Sequence, residues 1–137
     1  MGKKYLLDTN ICAYLLRGKY HVDVAIDKVG FENCYISEFT VAELKYGSEL
    51  GRQMGYHKRD QRLEDFLSHI RILPIVDAFD MFAAEKARLR LKGTPAHDNF
   101  DLLIGCTSVL HRMIMVTENI KDFKNIADIK LENWIER

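Results

Sequence analysis

Short apolar runs alternate with longer segments of helical period along this chain, and that alternation leaves few folds open. Runs of about four residues are strand-sized, and the segments between them are long enough to cross back over a sheet as helices. The pattern predicts an α/β domain with a central, mostly parallel sheet of about five strands flanked by helices. Strands are expected near residues 4–7, 34–37, 71–75, 113–117 and 129–131. The third contains Pro74, which cannot donate to a ladder and belongs at a strand end or sheet edge.

Helices are expected at 10–17, 21–29, 38–50, 57–69, 78–92 and 98–111. Gly18, Gly30, Gly51 and Gly93 each follow one of them, where a left-handed residue can close the last turn. The basic stretch 51–59 reads as the turn of a helical hairpin, not as a boundary. At 137 residues the chain has single-domain size, so one domain, 1–137, is expected.

Composition limits partners and compartment. Twenty basic side chains balance twenty acidic ones, so the overall field does not steer the protein to nucleic acid or an anionic membrane. Any such contact needs a local patch. Cys12, Cys34 and Cys106 are odd in number and lack metal-ligand spacing, which argues against a disulfide framework and a zinc site, and favours a reducing cytosol. The amino terminus reaches Asp8 after only Tyr5, Leu6 and Leu7, too few apolar residues for a signal core or a span. A soluble, cytoplasmic protein without membrane contact is expected.

The junctions after the strands carry the chemistry. Asp8 and Asn10 follow the first strand, and in parallel sheets ligands bind beyond the carboxyl ends of the strands. Either residue can also simply cap the next helix. Glu43 falls on the stripe Phe39, Glu43, Tyr46 and Leu50, whose other members are apolar, so it reads as inward-facing. The alternative is a capping box from Thr40 to Glu43, which weakens if Ser37 starts the helix one turn earlier.

Asp98 reads as the cap of the helix that carries Asp101 in its first turn. Asp101 shares a face with Ile104, Gly105 and Ser108, mostly small neighbours that allow close approach to the sheet, and is favoured over Asp98 as a ligand. Thr117, Glu118 and Asn119 complete the set, although a turn after a strand also selects asparagine. Glu85, on the stripe Met81, Phe82, Glu85 and Leu89, either pairs with a cation such as Lys86 or a dimer partner's Arg88, or faces the cluster. His97, beside Asp98, reads as loop surface.

Carboxylates gathered in a partly buried site repel one another unless a cation offsets their charge. Oxygen ligands select a hard ion, and magnesium, with manganese as a substitute, takes one or two carboxylates while keeping waters. Such an ion can activate water and stabilise a phosphodiester, so a metal-dependent nuclease is the leading reaction class. The non-catalytic alternative is an α/β interaction module that binds magnesium and cleaves nothing. A haloacid-dehalogenase-type phosphatase needs a second aspartate where this chain has Asn10.

Three segments go beyond generic chemistry: Leu6-Leu7-Asp8-Thr9-Asn10-Ile11, the run from Ile36 to Gly47, and Asp98-Asn99-Phe100-Asp101-Leu102-Leu103-Ile104-Gly105. With Val116-Thr117-Glu118-Asn119, Asp122-Phe123 and Glu132-Asn133-Trp134, the chain resembles PIN-domain proteins of the VapC toxin type over nearly its whole length. The resemblance implies a magnesium-dependent endoribonuclease of a type II toxin–antitoxin pair, inhibited by a VapB-like antitoxin, and a homodimer. It makes Asp8 and Asp101 metal ligands and Glu43 the third acid, completing the site or positioning the attacking water. Asn10, Thr117 and Asn119 become supporting residues. Many PIN domains have an aspartate where this chain has Asn119 beside Glu118, so one firmly held ion is expected. Arg17, Lys19, the 52–62 hairpin, Arg88, Arg90 and Lys92 are the candidate contacts to RNA.

Overall fold

The computed structural model describes residues 2–56 and 60–137, so the central part of the expected hairpin, at 57–59, lies outside the described residues. The five expected strands are all present: β1 (Tyr5–Leu7), β2 (Cys34–Ser37), β3 (Arg71–Leu73), β4 (Ile114–Val116) and β5 (Lys130–Glu132). They form one wholly parallel sheet in the order β3-β2-β1-β4-β5, with Leu6 opposite Tyr35 on one side and Met115 on the other. Parallel pairing puts every carboxyl end at the same edge. Asp8 follows β1 there, Ser37 ends β2 and Thr117 follows β4.

The two-residue period of the strands divides the core into two layers. Tyr5, Leu7, Cys34, Ile36 and Val116 face one side, and Leu6, Tyr35 and Met115 the other. Helices α1 (Thr9–Leu16), α2 (Val22–Val29), α3 (Glu38–Gln53) and α4 (Gln61–His69) cover the first through Ile11, Val22, Leu44 and Phe66. Helices α5 (Phe79–Lys92), α6 (Asn99–Leu110) and α7 (Ile120–Phe123) cover the second through Leu89, Leu102, Ile104 and Phe123.

Several boundaries differ from the sequence expectation for identifiable reasons. Helix α3 runs through Gly51 to Gln53, because a single glycine costs a helix only about 1 kcal/mol. The left-handed glycine after it is Gly55, at φ 81°. Strand β3 stops before Pro74 and lies at the sheet edge, as a missing donor requires. Asp60 caps α4 by accepting from the Leu63 N–H at 3.2 Å, so that helix starts later than 57. The short α7 was not anticipated. All three cysteines are buried and free, and among the described residues no helix is long and apolar enough to cross a membrane.

Candidate active site

Three helices begin at the carboxyl edge of the sheet, and each brings an acid with it. Asp8 is the N-cap of α1 and is only 6% exposed. Its Oδ1 accepts from the Thr9 N–H at 2.8 Å, and its Oδ2 accepts from the Thr117 hydroxyl at 2.9 Å. Thr117 Oγ1 in turn accepts from the Asn119 N–H at 3.0 Å. Capping and site-building are thus one arrangement, not alternatives.

Ser37 caps α3 by accepting from the Thr40 N–H at 3.2 Å, which excludes the capping box between Thr40 and Glu43. Glu43 is released to meet the first strand-to-helix junction, where it accepts from the Thr9 hydroxyl. Behind it runs a chain of hydroxyls: Ser37 Oγ lies 3.4 Å from Thr40 Oγ1, which lies 3.1 Å from Thr9 Oγ1. Each hydroxyl has one proton, and the sequence Ser37 to Thr40 to Thr9 to Glu43 uses each donor once.

The inward stripe proposed for Glu43 is corrected in part. Tyr46 is 68% exposed and Leu50 is 43% exposed, because the buried line of α3 runs through Thr40 and Leu44 instead. Glu43 stands at the border of that line, held by a threonine that sequence reasoning passed over. Thr9 carries no charge and lies between two more conspicuous candidates.

Asp98 caps α6, accepting from the Phe100 N–H at 2.7 Å and the Asp101 N–H at 3.3 Å. This leaves the half-buried Asp101 carboxyl one turn into the helix. The rings of Phe39 and Phe100 stack at 4.2 Å and 7°, bracing the starts of α3 and α6 that bear Glu43 and Asp101. The ionisation of the acids reflects their crowding. Burial pushes Asp101 up to about 6, helped by Asp98, Asp8, Asp122 and Glu43. Burial also raises Asp8, against its bonds from Thr117 and Thr9, with Asp122 adding to the rise. Glu43 is raised by burial first, then by Asp8 and Asp98, while Thr9 opposes.

Comparison with known proteins places this geometry. The family model for the PIN domain matches residues 5–129. Ribonuclease VapC2 of Rickettsia felis is 32% identical, over 95% of this chain and 97% of that one. The chain belongs to the PIN-domain family, in its VapC type. The tRNA(fMet)-specific endonuclease VapC of Salmonella typhimurium is 28% identical over 96% of this chain and 98% of its own. The structure of VapBC2 from Rickettsia felis bound to a DNA fragment from their promoter has a TM-score of 0.79 at 30% identity, covering 95% of this chain and 98% of that chain.

Within this PIN domain the remaining candidates separate cleanly. Asn10 lies on the exposed side of α1, and Asn119 precedes α7 and contributes its backbone N–H. Glu118 turns away to accept from Tyr14 at 2.9 Å and from Arg137 at 2.6 and 3.0 Å, which holds its carboxyl below the usual range. Glu85 is buried beneath α5, accepting two bonds from its own chain's Arg88 and one from the Ala127 N–H, each at 2.6 Å. Neither joins the three acids. Besides Asp98, which raises Asp101 and Glu43, a further carboxylate acts on them: Asp122, one turn after Asn119 on α7, raises both Asp8 and Asp101. Asp122-Phe123 entered the sequence reading only as part of the resemblance, and its place beside the acids has meaning only once α7 is drawn there.

A hard divalent ion fits this donor set, which is made of carboxylate and hydroxyl oxygens. Among the described residues no three acidic, histidine or cysteine side chains converge closely enough to enclose an ion in their present rotamers. Magnesium does not require that, since one or two carboxylates and several waters suffice. Asp8 and Glu43 are instead turned toward hydroxyl and backbone donors, as expected of carboxylates that repel one another.

Proposed function

We propose that this chain is a magnesium-dependent endoribonuclease, the toxin of a toxin–antitoxin pair, with manganese able to replace magnesium. The observation that carries the reading is the gathering of Asp8, Glu43, Asp101 and Asp122 at one sheet edge, with the first three held above their ordinary pKa range. That arrangement costs stability and is explained by a cation. Asp8 and Asp101 would hold the ion, with Glu43 completing the site. When bound, magnesium supplies positive charge against the phosphodiester oxygens and makes water more acidic.

The chain's own groups do the rest. Thr117 and the Thr9 N–H fix both oxygens of Asp8. The Ser37–Thr40–Thr9 hydroxyls orient Glu43, whose second oxygen is free to accept a proton from the attacking water. Asp122 would supply the fourth charge that many PIN domains carry where this chain has Asn119. Arg17 lines a cavity of about 190 Å³ with Thr9 and Glu43, a suitable place for a substrate phosphate. Three of the other expected RNA contacts are already engaged: Arg52 with Glu49, Arg62 with the Leu16 carbonyl and Arg88 with Glu85.

A VapB-like antitoxin is supported by the exposed apolar line Tyr46 and Leu50 on α3, continued past its end by Met54 and Tyr56. A homodimer is supported by Ile72, Val76 and Phe79, exposed together at the β3 edge of the sheet. The deciding experiment incubates structured RNAs with wild-type protein, Asp8→Asn and Asp101→Asn, with magnesium and with chelator. Cleavage by the wild type alone, and only with metal, is expected. Wild-type protein that binds magnesium and never cuts would support the interaction module instead.

A further inference from the structure

We propose that the cavity between α5, α6 and the end of α7 is a subsite for one unstacked nucleobase of the RNA, adjacent to the cleaved phosphate, and sets the cleavage sequence. The inference rests on the nuclease reading. The cavity encloses about 300 Å³, the lower end of the range for small-ligand sites. Its floor is apolar, formed by Leu89, Leu102 and Ile126, which are buried. Its rim is polar and exposed, formed by His97, Lys121, Asp122 and Asn125. The loop from Gly93 to His97 makes the remaining wall, and Gly93, at φ 86°, turns the chain out of α5 to open it.

A base is flat and apolar on its faces, with donors and acceptors only at its edge. The cavity matches that division. Leu89, Leu102 and Ile126 offer contact for a ring face, and the His97 imidazole offers a stacking or edge contact. The Asn125 amide both donates and accepts, which is what reading a base edge requires. Lys121 adds a cation for a neighbouring backbone phosphate. Leu102 of the floor directly follows Asp101 in α6, and His97 of the rim directly precedes Asp98, the cap of that helix, so an occupant here lies beside the acids.

The rim is also held in place. Arg88 donates to the Asn125 carbonyl at 2.9 Å while bonded to Glu85, and Glu85 accepts from the Ala127 N–H at 2.6 Å. The Glu85–Arg88 pair, formed within one chain, thus fixes the backbone on both sides of Ile126. A chain with no net charge gains little RNA affinity from long-range attraction, so selectivity must come from a shaped contact such as this.

The test maps cleavage ends on an RNA library of random sequence, using wild-type protein, Asn125→Ala and Ala96→Trp with magnesium. Binding of a short 2-aminopurine RNA in chelator is followed in parallel by fluorescence. At one position beside the cut, Asn125→Ala should reduce the base preference by about tenfold. Ala96→Trp, which fills the cavity from its rim, should dim the 2-aminopurine response and lower cleavage of the preferred RNA most. Folded variants with the wild-type preference profile and unchanged fluorescence would overturn the subsite. So would an equal loss at every sequence, which marks a structural role. Wild-type protein that cuts no RNA refutes the nuclease reading itself, a result distinct from all of these.

Discussion

Replacing Asp101 with asparagine makes the metal-free protein more stable at neutral pH, although it removes a proposed ligand. The Asp101 carboxyl is pushed up to about 6 from an ordinary 3.8, first by burial and then by Asp98, Asp8, Asp122 and Glu43. The folded chain therefore holds this proton more tightly than the unfolded chain. Its contribution to stability is fully present below about pH 4 and is lost as pH rises through about 6. The interval from 3.8 to about 6 amounts to at most ~3 kcal/mol above the higher value. Because the group is only half buried, solvent screening leaves about 1–2 kcal/mol. Asparagine keeps the shape, carries no charge and relieves Asp8 and Glu43 as well. Urea unfolding in chelator measures the difference: the variant should be the more stable at about pH 7.5, by roughly 1–2 kcal/mol, with the gap closing by about pH 4.5. Magnesium should narrow the gap, because the intact site gains more from the ion. A variant no more stable than wild type at the higher pH, or a gap that does not change with pH, would refute the reasoning.

Other substitutions separate catalysis from support. Thr9→Val keeps the volume but breaks the hydroxyl chain to Glu43; kcat/KM for RNA should fall by about 10–100-fold while the far-ultraviolet spectrum is unchanged. Glu85→Gln weakens the bonds to Arg88 and Ala127, so it should cost about 1–2 kcal/mol in chemical denaturation and leave magnesium affinity as it is. Asp122→Asn should weaken magnesium binding more than Glu118→Gln does by calorimetry, because Glu118 is already committed to Arg137 and Tyr14. In Gly105→Ala the added methyl would collide with Ile126, so a loss of about 1–3 kcal/mol in thermal unfolding is expected, with reduced activity as α7 shifts.

The parts of the molecule that sequence reasoning reached are those where local pattern and tertiary role agree. All five strands were legible because a buried parallel strand needs only a short apolar run, and Pro74 located the edge before the sheet was seen. Asp8 stood out because a charge directly after a buried strand is conspicuous, whereas Glu43 lies in the second turn of α3 and Asp101 on a helix that follows α5, so only the fold brings them to one edge. What escaped was set by packing. Helix α7 has four residues, too few for a periodic signal, and Asp122 escaped with it. Tyr46 and Leu50 were assigned inward because their hydrophobicity hid the fact that they line an uncovered face. Glu118 looked like an added charge for the site, but Arg137, which follows the carboxyl end of β5 at the same sheet edge, claims it.

The same edge that concentrates the acids also supplies what partly stabilises them. Helices α1, α3 and α6 all start there, capped by Asp8, Ser37 and Asp98. Each helix start offers roughly half an elementary positive charge, which favours a nearby carboxylate. Yet Asp8, Glu43 and Asp101 all remain above their ordinary range, and burial is the first cause in each. Helix ends and hydroxyl donors therefore fall short of offsetting desolvation and mutual repulsion. Removing one acid or adding one cation corrects the same imbalance, so the two should be interchangeable for stability. They are opposite for the proposed chemistry, because only the cation leaves Asp8, Glu43 and Asp101 all in place.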